Sequence, residues 1–384
     1  MDQTASPPEP PSATPAFGQR GTGPGEEIDI KWRGSPWSLT GLSFLNFLLS
    51  VITLGIYSFW GKTEVRKRIW SSVRLNDEPL HYTGTGKELF LGFLIVFCVF
   101  LLPVVLIPLA IELLVEGGKQ IADIIRIIAV IAVFPLLGVA IYRARRYRLS
   151  RTNWRGIRGT LTGSPWRYAW TYIWTGILII FTLGWIIPYR AHALYKRMTN
   201  EQQFGSEMFR YSGDVGDVYA RFAAVYFGGI ALTALVAGGA YWFLGIEIPT
   251  TPTAVENMSA ETQTKFVWFI VSIYVVGIII YSILQAWYFA SVYNYFARNT
   301  AFAGGQFDMK LTVCGLVWLV ISNMFIIILS LTILQPIAMA RASQYFVDRM
   351  SLNGLIDVDK IVQNAAELGT TGEGLAEAFD IDGF

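Results

Sequence analysis

The sequence of 384 residues contains only two cysteines and two histidines. Cys98 and Cys314 each lie inside an apolar run, so neither a disulfide framework nor a metal cluster is indicated. His81 and His192 stand far apart in the sequence, whereas a zinc or iron site needs several convergent His, Cys or carboxylate ligands. The sequence therefore predicts no metal site and no cofactor.

The chain also lacks the short motifs of common enzymes. It has no Walker phosphate loop, no Gly-x-Ser-x-Gly and no His-Glu-x-x-His. Within the apolar segments the polar groups are Asn46, Gln285, Asn323 and hydroxyls, whereas proton relays and ion paths need charged groups at mid-span. We therefore predict no catalytic residues, and a membrane enzyme with an unrecognised site is the least favoured alternative.

Charged residues are scarce, and hydrophobic residues take their place. The charged fraction is 15% and the hydrophobic fraction 53%, which is too apolar for a soluble globule of this length. The 13 tryptophans fit rings that anchor a protein at both bilayer interfaces. The composition therefore predicts a polytopic helical membrane protein.

An internal repeat organises the apolar segments. The stretch Thr53–Trp60 recurs 129 positions later as Thr182–Tyr189, and a degraded third copy follows 148 positions further on as Ser330–Pro336. The offset of 129 also relates two basic pairs, Lys67-Arg68 and Lys196-Arg197. Several matched islands at one offset, with no gap between them, indicate an internal duplication.

We predict the fold class from this repeat. Each full copy contains an apolar Thr-Leu-Gly segment, an interfacial basic helix, a short β-hairpin and a transmembrane helical hairpin, so the class is an all-α polytopic membrane protein. The predicted divisions are a disordered tail (1–27), repeat 1 (28–142), repeat 2 (143–295), a partial repeat 3 (296–352) and an acidic C-terminal tail (353–384).

Acidic residues are absent from Ile124 to Asn200, and this stretch is rich in arginine. Cytoplasmic loops are ordinarily basic, so membrane topology alone explains many of these residues. Arginine also forms bidentate bonds with phosphate and stacks on rings, and Trp154, Trp166 and Tyr168 are interleaved here. The second hypothesis is therefore a surface for anionic lipid or phosphate, made of Arg143, Arg145, Arg146, Arg151, Arg155, Arg158, Lys67, Arg68, Lys196 and Arg197. Nucleic acid is a poor alternative, because the same residues adjoin the bilayer.

The matched positions Asn46, Thr175 and Asn323 are all polar. They form either a polar seam around a site between the repeats or ordinary interhelical hydrogen bonds, which contribute on the order of 1 kcal/mol each. The seam would suit a small-solute transporter or channel, whose sites lie between repeats. This remains the alternative to a lipid-engaging protein without catalytic chemistry.

Three stretches resemble the YjgN-like family of bacterial inner-membrane proteins, a domain-of-unknown-function family. They are Arg148–Arg158, the Thr53–Ser58 box and the closing Gly372–Asp380, and the similarity extends from Ile28 to the C-terminus. The chain departs from the family at Phe59, where proline is usual. The resemblance implies an inner-membrane location and brings no catalytic residue. The third copy has Gln344-Tyr345 in place of the basic pair, which argues against a role shared by all three copies.

Charge also predicts a topology. If every apolar segment spanned the membrane, the basic stretch Arg190–Arg221 would lie outside and the acidic loop Gly245–Glu261 inside, against the positive-inside rule. We therefore predict that the Thr-Leu-Gly segments re-enter the membrane and return to the same side. Both termini are then cytoplasmic, and the expected partners are anionic membrane lipids.

Overall fold

The computed structural model describes residues 25–244, 259–358 and 361. Most of these residues are helical. The helices are α1 (Thr40–Ile52), α2 (Ser58–Ser72), α3 (Gly86–Val96), α4 (Leu102–Leu114), α5 (Gly118–Arg151), α6 (Pro165–Phe181), α7 (Ile187–Asn200), α8 (Val215–Leu244), α9 (Ala260–Arg298), α10 (Val313–Leu329) and α11 (Gln335–Val347). A 3-10 turn, Pro36–Leu39, precedes α1.

Short strands separate the helices. They are β1 (Glu26–Glu27), β2 (Ile30–Trp32), β3 (Val73–Leu75), β4 (Glu78–Pro79), β5 (His81–Tyr82), β6 (Thr152–Trp154), β7 (Ile157–Leu161), β8 (Gln202–Phe204), β9 (Glu207–Tyr211), β10 (Thr300–Phe302), β11 (Gly305–Met309), β12 (Met350–Asn353) and β13 (Leu355–Ile356). The predicted all-α class therefore leaves out most of the strands. The single hairpin expected in each full repeat belongs to a larger arrangement of strands.

The strands form three antiparallel sheets, ordered β12-β11-β10-β9-β8-β7-β6-β5, β2-β3-β4 and β1-β13. Only one or two residues separate β4 from β5, β12 from β13 and β1 from β2, so the chain itself joins the sheets. Followed through these junctions, the strand order returns to its starting point and makes a ring. Tight turns with positive φ close its hairpins, for example Asn76-Asp77 and Arg155-Gly156.

One apolar core fills the middle of this ring. Its buried members include Trp154 on β6, Leu352 on β12 and Ile356 on β13, together with Val358 and Ile361 after β13. Fully burying such side chains contributes about 1.5–3 kcal/mol each. The core therefore holds the first and last strands of the chain against the central hairpins.

The helices leave the strand ring as hairpins and return to it. Three short helix pairs lie between consecutive strands: pair 1 is α1–α2 between β2 and β3, pair 2 is α6–α7 between β7 and β8, and pair 3 is α10–α11 between β11 and β12. Two longer hairpins, α3–α5 and α8–α9, connect β5 to β6 and β9 to β10. Both ends of every described hairpin therefore lie at the same layer of strands.

Among the described residues, four helical segments are long and apolar enough to cross a membrane: Gly86–Leu114, Gly118–Arg151, Val215–Gly239 and Ala260–Arg298. All four belong to the two longer hairpins, and their length and composition are consistent with a helical membrane protein. A π-helical turn, Phe97–Leu101, joins α3 to α4 beside Pro103. Proline cannot donate to the carbonyl four residues earlier, and the helix is irregular at this place, with a π turn.

The predicted domain boundaries can be compared with the helices and strands of the structure. The divisions at 142/143 and 295/296 fall inside α5 and α9, because the chain turns only where these helices meet the strands. Glu26-Glu27 and Leu355-Ile356, assigned to the two tails, pair with each other as strands. The rest of the N-terminal tail, the closing Gly372–Asp380 and most of the acidic loop after α8 lie outside the described residues.

Candidate lipid-facing site at the helix–sheet junction

The Thr-Leu-Gly signature forms the tip of each short helix pair. Leu54 and Gly55 both have positive φ, as do Leu183 and Gly184 in pair 2 and Leu331-Thr332 in pair 3. The Thr53 hydroxyl donates to the Leu49 carbonyl at 2.7 Å and accepts from the Tyr57 amide at 2.9 Å, which closes the turn. The signature is thus a helix-reversal motif.

The tips are apolar and open. Leu54 is 93% exposed, Leu183 80% and Leu331 79%. All three also adopt the left-handed conformation, which is unfavourable for leucine. Exposed leucine at the end of an apolar hairpin has no stabilising surroundings in water. These tips fit a hydrocarbon environment.

The polar positions Asn46, Thr175 and Asn323 each make a hydrogen bond within their own helix pair. The Asn46 amide donates to the Gly61 carbonyl at 3.3 Å, and the Asn323 amide donates to the Ala338 carbonyl at 3.1 Å. The Thr175 hydroxyl accepts from Arg190 at 3.1 Å. Gly61, Arg190 and Ala338 are related by the same offsets of 129 and 148, so the three hydrogen bonds join equivalent positions. In pair 2, however, the bond comes from a side chain, whereas in pairs 1 and 3 the asparagine donates to a backbone carbonyl.

Arginines near the end of α5 contact protein groups. Arg145 donates to the Gln202 amide oxygen at 3.1 Å, and Arg146 donates to the Gly163 carbonyl and stacks on Tyr142. These contacts fix α5 against the beginning of α6 and the end of α7. They leave the two guanidinium groups little freedom for a ligand.

Arg151 closes the base of the hairpin α3–α5. Its guanidinium lies 2.7 Å from Oε1 of Glu88 and over the Tyr147 ring, while the Tyr147 hydroxyl donates to Oε2 of the same carboxylate. The Arg151 side chain is 10% exposed. Sequence reasoning missed Glu88, although Thr85 and Glu88 have the spacing of a helix capping box, and Thr85 does accept from the Glu88 amide.

Arg155 occupies the turn between β6 and β7 and bridges two carboxylates. Its Nη1 lies 2.6 Å from Glu26, its Nε lies 2.8 Å from Glu78, and the group stacks on Trp154. The hydrogen bond that Arg155 donates to Glu78, and more weakly the one that it donates to Glu26, raises the pKa of Arg155 above its usual value. Arg155 therefore ties β1 and β4 to the β6–β7 hairpin.

The other predicted cations have different surroundings. Arg68 and Lys196 are exposed, and Lys67 is paired with Glu64 at 2.7 Å. The remaining three are half-buried: Arg143 on α5, Arg158 on β7 and Arg197 at the end of α7. Except for Arg158 on its strand, these residues lie where helices approach the strand ring.

Exposed tryptophans begin the first helix of each short pair. Trp37, Trp166, Trp170 and Trp318 are between 53% and 69% exposed. Their positions place them at the strand-ring ends of the pairs, opposite the leucine tips. Tryptophan is enriched at the level of lipid headgroups, so this band fits a membrane interface.

Histidine and cysteine form no reactive cluster in the described part of the chain. No group of three His, Cys, Asp or Glu side chains able to hold a metal occurs there. His192 is buried, with the Tyr211 hydroxyl 3.3 Å from its Nδ1, and burial followed by nearby Lys196 lowers its pKa. His81 is exposed on β5, and Cys98 and Cys314 are free thiols.

Two cavities open near the strand-ring ends of the short pairs. One of about 300 Å³ lies in pair 3 beside Trp318, Arg341 and Arg349, and one of about 110 Å³ lies in pair 1 beside Arg68. Neither is bordered by Asn46, Thr175 or Asn323, the polar seam expected around a transport site.

This chain is similar to a known protein family and to a known inner membrane protein. A model for a bacterial protein family of unknown function, DUF898, matches residues 27–378. The inner membrane protein YjgN of Salmonella typhimurium (strain LT2) is 28% identical over 148 residues, which are 38% of this chain and 34% of that protein. The alignment thus spans about a third of the relative's length, and no solved structure matches the chain. Because the family model covers nearly the whole chain, the protein belongs to the DUF898 family of bacterial proteins of unknown function.

Proposed function

We propose that the protein is a multi-pass inner-membrane protein that engages anionic lipid headgroups with cations at the bases of its helix pairs. The observation that carries this proposal is that the two ends of each pair differ in polarity. Its tip exposes leucine, whereas its base has exposed tryptophan and cations such as Arg68 and Lys196. A cation near an anionic leaflet contributes about 1 kcal/mol.

The three pairs are proposed to be copies of one unit that enters the membrane from the strand-ring side and returns. Sequence offset, tip conformation and the hydrogen bonds at Asn46, Thr175 and Asn323 all support a common origin. Helices of 13 and 17 residues reach about 20–26 Å, less than the roughly 30 Å hydrocarbon core. A pair whose two ends join the strand ring therefore fits a re-entrant hairpin.

Charge supports placing the strand ring in the cytoplasm. The strand-ring end of α5 holds five arginines between Arg143 and Arg151, whereas the far ends of the long hairpins hold acidic residues. There Glu112 and Asp123 pair with Arg126, and Glu261 pairs with Lys265. The positive-inside rule then gives a cytoplasmic ring with both termini on that side.

Intramolecular partners reduce the number of cations that are available to bind lipid. Arg145, Arg146, Arg151 and Arg155 have intramolecular partners, so the proposed lipid contact uses Arg68, Arg143, Lys196 and Arg197. Lys67 is a weaker contributor, because its pairing with Glu64 partly neutralises it.

The experiment compares phospholipid that co-purifies with the wild type and with the variant Arg143→Gln, Lys196→Gln, Arg197→Gln. We expect the variant to lose most of its enrichment in phosphatidylglycerol and cardiolipin over phosphatidylethanolamine, measured by mass spectrometry. The matched control removes three cations from the far ends, Lys119→Gln, Arg126→Gln and Lys265→Gln, and should retain the enrichment. Equal enrichment in all three proteins would overturn the proposal.

A further inference from the structure

The cavity in pair 1 has an unusual lining, which we call the serine cleft. Four serines, Ser35, Ser38, Ser71 and Ser72, surround it together with Arg68 and Trp32. The first two serines precede α1, and the other two end α2. Its volume is about 110 Å³, and none of the residues that line it is acidic.

The Ser35 hydroxyl and the Arg68 guanidinium can donate to a ligand in the cleft, whereas the Ser71 and Ser72 hydroxyls already donate within the protein. The Ser35 hydroxyl oxygen accepts from the Trp37 amide at 3.3 Å, so its own hydrogen is available to a ligand. The hydroxyls of Ser71 and Ser72 both donate to the Arg68 carbonyl at 2.9 Å, which holds the end of α2 in place. The Arg68 side chain is exposed and can offer up to five N–H donors.

Pair 2 shows what blocks such a cleft. At the offset of 129, Glu201 stands in the place of Ser72. Its carboxylate packs so closely on Gly163 that an added Cβ there would lie 1.8 Å from Glu201, and it accepts from the Tyr142 hydroxyl at 2.6 Å. A carboxylate in this position fills the space and repels an anion.

Pair 3 also differs at these positions. Tyr345 replaces Arg68, and Asp348 and Arg349 replace Ser71 and Ser72. Its larger cavity therefore contains a carboxylate beside its cations. Of the three equivalent places, only the serine cleft combines a cation and several hydroxyls without an acid.

We propose that the serine cleft binds a phosphate group, either that of a lipid headgroup or free phosphate. Hydroxyls and a guanidinium are good partners for phosphate oxygens, because arginine can donate two parallel bonds to one group. Trp37, 53% exposed beside Ser38, lies where an interfacial ring would be. The lipid source rests on the proposed membrane placement, whereas the phosphate chemistry does not.

The test measures saturable binding to the full-length protein in detergent. The probes are dioctanoyl phosphatidic acid and dioctanoyl phosphatidylglycerol, followed by native mass spectrometry, and inorganic phosphate, followed by calorimetry. Arg68→Gln should weaken binding about tenfold, because a charge-assisted hydrogen bond is lost. Ser72→Glu, which reproduces the residue of pair 2, should abolish saturable binding.

Two controls make the outcomes distinguishable. Lys119→Gln removes one exposed cation at the far end of the hairpin α3–α5 and should leave saturable binding unchanged, and Ser72→Ala is a milder change should Ser72→Glu destabilise the protein. Ser72→Ala should weaken binding by several-fold, because it removes one of the two hydroxyl hydrogen bonds that hold the end of α2 in place. Binding by Arg68→Gln and Ser72→Ala that equals the wild type would overturn the cleft.

The same experiment separates this inference from the proposed function. Binding of both lipids without inorganic phosphate supports a headgroup site, and binding of inorganic phosphate as well supports a site for the phosphate group itself. If phosphate binds in the cleft while co-purified lipid shows no anionic enrichment, the lipid function fails and the cleft stands. If enrichment persists but no probe binds saturably, the cleft fails and the lipid function stands.

Discussion

Removing the Glu88 carboxylate should open the base of the hairpin α3–α5. Glu88 accepts from Arg151 at 2.7 Å and from the Tyr147 hydroxyl, and the Arg151 side chain is only 10% exposed. Breaking a buried ion pair by removing one partner destabilises a protein by about 3–5 kcal/mol. Because Glu88 itself is 29% exposed, water can replace part of the interaction. We therefore expect Glu88→Ala to lose about 2–3 kcal/mol, at or below the lower end of that range.

Thermal unfolding in detergent measures this effect. A loss of about 2 kcal/mol should lower Tm by roughly 4–8 °C, at 2–4 °C per kcal/mol. Glu88→Gln keeps one acceptor and should fall between Glu88→Ala and the wild type, whereas Glu64→Gln breaks an exposed pair and should have almost no effect. In a double-mutant cycle, Arg151→Met should reduce the loss caused by Glu88→Ala. Glu88→Ala that unfolds within a degree of the wild type would refute the reasoning.

Two further predictions concern the tips and the buried histidine. Leu183→Gly should raise stability in detergent by about 1 kcal/mol, because Leu183 has positive φ and glycine adopts that conformation without strain; an unchanged or lower Tm would contradict this. Burial depresses the pKa of His192, so stability should be complete above about pH 6.5 and fall as pH drops below that value. His192→Gln should flatten this part of the profile, and an unchanged slope would exclude His192 as its source.

Local features of the fold could be predicted from the sequence. The Thr-Leu-Gly signature marks each tip, and the interfacial basic helix expected after the first copy is α2, Ser58–Ser72. The short hairpin expected in repeat 1 is present around Asn76-Asp77, with both turn residues in the left-handed conformation. These features depend on neighbours within a few positions, so spacing and residue type are sufficient to indicate them.

The strand ring could not be predicted in the same way. Its strands are only two to five residues long, too short for a periodic pattern to distinguish them from loops. Their pairing is also remote in sequence: Tyr211 lies opposite Thr300, and Glu26 lies opposite Ile356. The sequence therefore predicts the short helix pairs as apolar segments, but it does not predict the layer of strands at which their ends lie.

The arginine-rich stretch shows the same limit for the candidate site. Its composition fits both membrane topology and a ligand surface, and only the partners distinguish individual residues. Those partners are far along the chain, as in the pair of Arg151 with Glu88, 63 positions apart. In contrast, the repeat itself is sufficient to explain the polar residues Asn46, Thr175 and Asn323, because each forms a hydrogen bond within a repeated helix pair.

The most direct test of the account asks on which side of the membrane the short pairs end. In a chain with Cys98 and Cys314 replaced by alanine, single cysteines are introduced by Ser71→Cys at the end of α2, Lys196→Cys near the end of α7 and Glu116→Cys between α4 and α5. An impermeant thiol reagent should label Glu116→Cys in intact cells, and the other two only in inverted membrane vesicles. Labelling of Ser71→Cys or Lys196→Cys in intact cells would contradict re-entrant pairs joined to a cytoplasmic strand ring.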